Sequence, residues 1–216
     1  MGRFRLIYDN AGYCLDDVFS AQNPLRVGFE SQEFLTRIRH AGKKSELVAR
    51  AVKAKAGLRV LDCTAGPAKD AFILAHLGCE LVLLERSIVI ATLLEDGLRR
   101  ASQIPELART VARMRIVTGD ARQFLRDQNL DFDVIYIDPM FPEKQTSAAV
   151  HGDMQQLQRF LGTDGDASDL LARALETSCP RIVLKRPPQS EWRGTVAPTH
   201  VVSNRNSRYE VFVRGS

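Results

Sequence analysis

The chain has 216 residues, 44% of them hydrophobic and 26% charged, with a net charge of +4 and a pI near 9.0. That length suits one α/β domain with a sizeable core and a small addition, and the composition is that of an ordinary soluble globular protein. No apolar run approaches the ~20 residues that span a bilayer. The start, Met1-Gly2-Arg3-Phe4-Arg5, lacks the apolar core of a secretory signal, so the expected location is cytoplasmic.

In chain order, residues 1–44 read as an N-terminal extension and 45–216 as the main domain. The extension holds short mixed stretches at Phe4 to Tyr8, Leu25 to Phe29 and Phe34 to Ile38, separated by Asn, Gly and Pro, which predicts a small β-rich unit. His40 to Ser45 reads as a basic loop whose Ser45 caps a helix through Leu47, Val48, Ala51 and Val52. From Arg37 to Arg59 eight cations face one acid, Glu46, so phosphate is the expected counter-ion, with a solvated helix face as the alternative.

After Gly57 short apolar strands (Val60-Leu61, Leu81 to Leu84, Arg115 to Val117, Val134 to Ile137, Ile182 to Leu184) alternate with helices at Asp70 to Leu77, Ile88 to Ala101, Ala121 to Gln128 and one ending near Thr177. Such alternation means βαβ units and a parallel sheet, with right-handed crossovers covering both faces. Gly162 to Asp169 reads as a polar loop. At the C-terminal end, His200 to Ser203 and Tyr209 to Val213 flank a polar pentapeptide too short for a crossover helix, which predicts an antiparallel hairpin. Five parallel strands followed by an antiparallel pair resembles the plan of class I, Rossmann-like methyltransferases with a seven-stranded sheet.

Ligands of an open parallel sheet bind beyond the carboxyl ends of its strands. The first strand ends in Asp62-Cys63-Thr64-Ala65-Gly66, where Gly66 permits close backbone approach. Glu85 ends the second strand 19 residues beyond Gly66, close to the ~20 at which an acid accepts ribose hydroxyls. The third tip offers Asp120, which either accepts from an adenine amine or caps the next helix. The fourth is Asp138-Pro139-Met140-Phe141-Pro142. There a planar base can stack on Phe141 while its exocyclic amine donates to Asp138 and to the Pro139 carbonyl, the arrangement amino-group methylation needs. Four acids on one rim, without a Gly-x-x-x-x-Gly-Lys-Ser/Thr loop, suit S-adenosylmethionine rather than a triphosphate. The four histidines and four cysteines show no metal-ligand spacing, and none of the cysteines forms a Cys-x-x-Cys pair, so neither a metal nor a disulfide framework is expected.

The segments Gly42-Lys43-Lys44-Ser45-Glu46, Asp62 to Gly66 with Lys69 to Phe72, Leu84-Glu85-Arg86, Asp138 to Pro142 with Lys144-Gln145, and Val183 to Pro187 closely resemble the bacterial small-subunit ribosomal RNA guanine-N2 methyltransferases of the RsmJ type. The resemblance implies a S-adenosylmethionine site at Lys69 and Asp70, Glu85 and Arg86, Asp120 and Ala121, and Asp138. It also implies methylation of guanine N2 in 16S ribosomal RNA, free or in the small subunit. The chain departs from the family at Ala68-Lys69, where Gly-Arg is common, and at Asp120-Ala121, where a serine pair is common. Lys43, Lys44, Lys144, Lys185 and Arg186 are the expected RNA-phosphate contacts. Two alternatives stand beside this reading: an adenine-N6 or DNA methyltransferase, and a NAD-dependent oxidoreductase.

Overall fold

The computed structural model describes residues 2–126, 130–140, 152–162, 167–188 and 196–214. The chain opens with a hairpin, β1 (Phe4–Asp9) and β2 (Gly12–Asp17), followed by α1 (Gln32–His40) and α2 (Leu47–Val52). Then come β3 (Arg59–Asp62), α3 (Lys69–His76), β4 (Glu80–Glu85), α4 (Ile88–Ser102), α5 (Pro105–Val111), β5 (Met114–Thr118), α6 (Ala121–Phe124) and β6 (Val134–Ile137). The last part holds α7 (Gly152–Leu161), α8 (Ala167–Glu176), β7 (Arg181–Arg186), β8 (His200–Ser203) and β9 (Arg208–Val213).

The seven-stranded sheet has the order β5-β4-β3-β6-β7-β9-β8. Strands β3 to β7 pair in parallel, and β9 inserts antiparallel between β7 and β8. This is the plan expected from the sequence. Because the chain runs outward from β3 through β4 to β5 and then returns to the other side of β3 as β6, the strand order reverses between β3 and β6. Such a switch point opens a crevice at the strands' carboxyl ends, and Asp62 pairs across it with Tyr136. Every residue of β6 is buried, consistent with a central strand covered on both faces.

Side chains alternate between two cores. Val60, Val134, Tyr136, Val183 and Val211 face the layer built by α1 to α5, while Leu61, Ile135, Ile137, Ile182 and Leu184 face α6 and α8. The N-terminal hairpin joins the first of these. Leu15, Leu25, Val27 and Phe29 are buried in it, and Phe29 stacks on Phe72 of α3 with ring centroids 4.4 Å apart. Asp96 of α4, only 5% exposed, accepts from the Tyr13 amide at 3.1 Å and pairs with Arg100 at 3.0 Å.

Several expectations need correction. Phe34 to Ile38 is not a strand: Ser31 caps α1 by accepting from the Phe34 amide, Glu33 sits in the first turn, and Phe34 and Ile38 fall on one helical face. Leu25 to Phe29 contributes one isolated bridge, Leu25 to Leu15. Ser45 does not cap α2, since its hydroxyl donates back to the Gly42 carbonyl and Glu46 occupies the cap position. Helices α5 and α7 add to the elements that the sequence pattern predicts. The start of α8 at Ala167 lies inside the stretch read as a polar loop, and α6 closes at Phe124.

Candidate functional site

The first strand tip is built by its own backbone. After Asp62 the chain turns through Gly66 and Ala68, both at positive φ (49° and 55°), and enters α3. A Cβ at Gly66 would have the Thr64 carbonyl at 3.9 Å as its nearest neighbour, so the turn presents open backbone rather than packed side chain. The Gly66 amide donates to Glu85 Oε2 at 3.0 Å and the Ser87 amide to Glu85 Oε1 at 2.8 Å. Glu85 is 6% exposed, so these bonds fix its carboxylate at the end of β4. At the third tip a Cβ added to Gly119 would meet nothing within 4 Å. Asp120 next to it caps α6 through the Arg122 amide at 2.8 Å and pairs with the Arg122 side chain. The hydrogen bond from that side chain holds the Asp120 carboxyl below its usual range. Arg86 is exposed and Ala121 buried beside this tip.

Asp138 ends β6 at the switch point. Its amide donates to Thr64 Oγ1 at 2.7 Å, which ties the fourth tip to the first. Pro139 follows in a buried position. Lys185 of β7 inserts its ammonium between Asp138 Oδ2 at 2.8 Å and Asp70 Oδ2 at 2.9 Å. Asp70 Oδ2 also accepts from the Tyr136 hydroxyl at 2.9 Å and the Tyr209 hydroxyl at 3.3 Å, and Arg37 lies 3.9 Å from its other oxygen. Burial alone would raise the Asp70 carboxyl, but Lys185, Tyr136 and Arg37 outweigh it and hold it low. Burial likewise pulls the Lys185 ammonium down, and the two carboxylates more than reverse that. Asp62 differs: burial, with repulsion from Asp138, Asp70 and Glu85, pushes its carboxyl up to about 7 despite the bond from the Thr64 amide.

Asp62, Gly66, Asp70, Glu85 and Asp138 therefore share the rim with Arg86, Asp120 and Ala121, whereas other candidates turn away from it. Lys69 donates to the Gly28 carbonyl and lies over the Phe29 and Phe34 rings at 4.9 and 4.4 Å, which turns it toward the N-terminal segment. Two expected RNA contacts are held in ion pairs: Arg186, 6% exposed, pairs with Glu210 at 2.7 Å, and Lys185 pairs with Asp70 and Asp138. Lys43 and Lys44 are exposed in the loop between α1 and α2. Phe141 and Lys144 lie outside the described residues. The basic run does not make one face. Arg37 pairs with Glu46, Arg39 with Glu106 and Arg59 with Asp131, while Lys53 and Lys55 precede β3 at the opposite end of the sheet.

Residues the sequence reading missed are Arg37, Thr64, Tyr136 and Tyr209. The signal for the tyrosines was strand alternation: Tyr136 shares a sheet face with Asp138 two residues on, and Tyr209 pairs directly with Lys185 across β7 and β9.

The profile of a family described as putative SAM-dependent methyltransferases matches residues 3–214. The ribosomal RNA small subunit methyltransferase J of Thioalkalivibrio sulfidiphilus is 42% identical over 90% of this chain and 78% of its own length. That of Ectopseudomonas mendocina is 42% identical over 89% of this chain and 75% of its own length. The chain belongs to this S-adenosylmethionine-dependent methyltransferase family. Among solved structures, the SAM-dependent methyltransferase NGO1261 of Neisseria gonorrhoeae superimposes with a TM-score of 0.76 at 30% identity, covering 96% of this chain and 81% of that one. The methyltransferase's rim fits the cofactor on its own chemistry: a buried, backbone-held carboxylate for hydroxyls and an open glycine turn. Among the described residues no helix is long and apolar enough to cross a membrane, and no cluster of three or more His, Cys, Asp or Glu is arranged to hold a metal.

Proposed function

We propose that this methyltransferase transfers a methyl group from S-adenosylmethionine to the exocyclic N2 of a guanine in 16S ribosomal RNA, in the bacterial cytoplasm. The observation that carries the reading is Asp138, fixed at the strand switch point by the Thr64 hydroxyl and the Lys185 ammonium. The relatives named ribosomal RNA small subunit methyltransferase J supply the substrate class.

When bound, S-adenosylmethionine supplies an electrophilic methyl group on a sulfonium. Glu85 is assigned the ribose hydroxyls, and the Gly66 turn, Asp62, Arg86, Asp120 and Ala121 are assigned the rest of that half of the rim. Guanine N2 is a weak nucleophile because its lone pair is delocalised into the ring. Acceptors at the Asp138 carboxylate and the Pro139 carbonyl favour the pyramidal nitrogen that develops during attack. Once the methyl group has been transferred, Asp138, or water beside it, would accept the surplus N2 proton. Alignment supplies most of the rate, with no covalent enzyme intermediate. Phe141 is assigned the stacking contact with the unstacked base, which contributes about 1–3 kcal/mol in single-strand recognition. Lys43, Lys44 and Lys144 are assigned RNA phosphates.

The test uses small-subunit RNA from cells lacking the gene, methyl-labelled cofactor, and mass spectrometry of the released nucleosides. N2-methylguanosine at one position is the expected product, and N6-methyladenosine would overturn the assignment of base and atom. Asp138→Ala is expected to abolish transfer with its melting temperature preserved. Near-normal turnover by that variant would remove Asp138 from the mechanism.

A further inference from the structure

Among the described residues, Lys185 is the cation enclosed by the acids of the rim. Its ammonium, on a side chain 27% exposed, bridges Asp70 of α3 and Asp138, just beyond β6, at 2.9 and 2.8 Å. Asp70 is in turn held by two hydroxyls, Tyr136 at 2.9 Å and Tyr209 at 3.3 Å, with Arg37 3.9 Å away. Helices α1 and α3 and strands β6, β7 and β9 therefore converge on one salt-bridged cluster at the switch point. A lysine that served RNA phosphate would need a mobile, solvated ammonium. To reach a phosphate, this one would have to leave two carboxylates, one of them only 14% exposed.

We propose that Lys185 is a positioning residue for methyl transfer: it fixes the plane of the Asp138 carboxylate for the substrate amine, and Asp70, with the Tyr136 and Tyr209 hydroxyls, holds Lys185 in place. The proposal rests on the role given above to Asp138. A carboxylate on a short side chain at a strand tip rotates freely about its last bond unless one oxygen is tied down. Binding Oδ2 to a cation anchored on a neighbouring strand stops that rotation, so the acceptor is set before substrate arrives. The same ammonium neutralises repulsion between Asp70 and Asp138, which otherwise favours swinging them apart. Asp70 thereby acquires a role distinct from a direct cofactor contact, because its carboxylate is occupied by the cluster.

The experiment compares Lys185→Met, Lys185→Arg, Tyr209→Phe and Asp138→Ala in steady-state methylation of undermethylated small-subunit RNA, with S-adenosylhomocysteine affinity by calorimetry and RNA affinity at several salt concentrations. Lys185→Met is expected to lower kcat about 100-fold, the scale of a misplaced catalytic group. The KM for RNA, the S-adenosylhomocysteine affinity and the salt slope are expected to stay within about twofold, as for a group acting only in the transition state. Lys185→Arg, which keeps the charge and can reach both carboxylates, should recover most of the lost kcat. Unchanged kcat in Lys185→Met overturns the proposal. So does a loss confined to RNA affinity with a shallower salt slope, because that marks a phosphate contact. If Lys185→Met does not fold, Tyr209→Phe decides: a fall in kcat of about tenfold from removing one hydrogen bond to a charged group supports the cluster, and unchanged kcat refutes it. An inactive Asp138→Ala beside a fully active Lys185→Met defeats only this inference. An active Asp138→Ala defeats the mechanism beneath it.

Discussion

Asp62 gives the methyltransferase a stability that falls as the solution becomes more alkaline. Its carboxyl is only 2% exposed and is pushed from the ordinary 3.8 to about 7 by burial and then by three neighbouring acids. The folded protein thus holds this proton more tightly than the unfolded chain does. The stabilising proton is fully present below about pH 4, where both states are protonated, and its contribution is lost as the pH rises through about 7. At about 1.4 kcal/mol per unit, the gap corresponds to about 4 kcal/mol, of which about 3 kcal/mol falls between pH 5 and pH 8.5. Asp62→Asn keeps the shape and an oxygen to accept from the Thr64 amide, and removes the titration. Urea unfolding followed by circular dichroism, at several pH values, should show the variant gaining on the parent by about 3 kcal/mol across that interval. Parallel curves for the two proteins would refute the reasoning, since they would mean that Asp62 titrates alike in both states.

Two further outcomes follow from the same structure. Gly97 of α4 lies against the N-terminal segment, where an added Cβ would stand 2.7 Å from the Val27 carbonyl oxygen. Gly97→Ala is therefore expected to lower stability, the overpacking cost of about 1–3 kcal/mol exceeding the helix-propensity gain of up to about 1 kcal/mol. A thermal melt at or above that of the parent would contradict it. Lys43→Ala with Lys44→Ala should weaken RNA binding and reduce the slope of log K against log salt by up to about 2, roughly one unit for each phosphate that is no longer neutralised. An unchanged slope would remove this loop from the RNA surface.

The sheet and the rim were legible in the sequence because each parallel strand is a short apolar run stopping abruptly at a polar residue. Val134 to Ile137 ending at Asp138 is the clearest case, and β6 begins and ends where that run does. What the sequence could not display was how the rim's charges neutralise one another. Tyr136 and Tyr209 look like strand core, and their hydroxyls gain meaning only when β6, β7 and β9 become neighbours. The basic run from Arg37 to Arg59 looked like one patch because linear charge counting ignores partners. Folding brings Glu106 to Arg39 and Asp131 to Arg59 from far along the chain. The α1 segment does not announce a helix in the sequence, because its apolar residues are few and its cap, Ser31, stands in a stretch with other turn formers.

The stacking of Phe29 on Phe72 and the reach of Lys69 to Gly28 mean that the turn expected to hold the nucleoside is buttressed by chain laid down before the first parallel strand. Trimming the protein to a minimal catalytic unit starting near Ser45 would leave Phe72 bare and Lys69 without its aromatic cradle. Such a truncation should behave as a damaged enzyme rather than a smaller one, and laboratory evolution of the activity has to carry both pieces together.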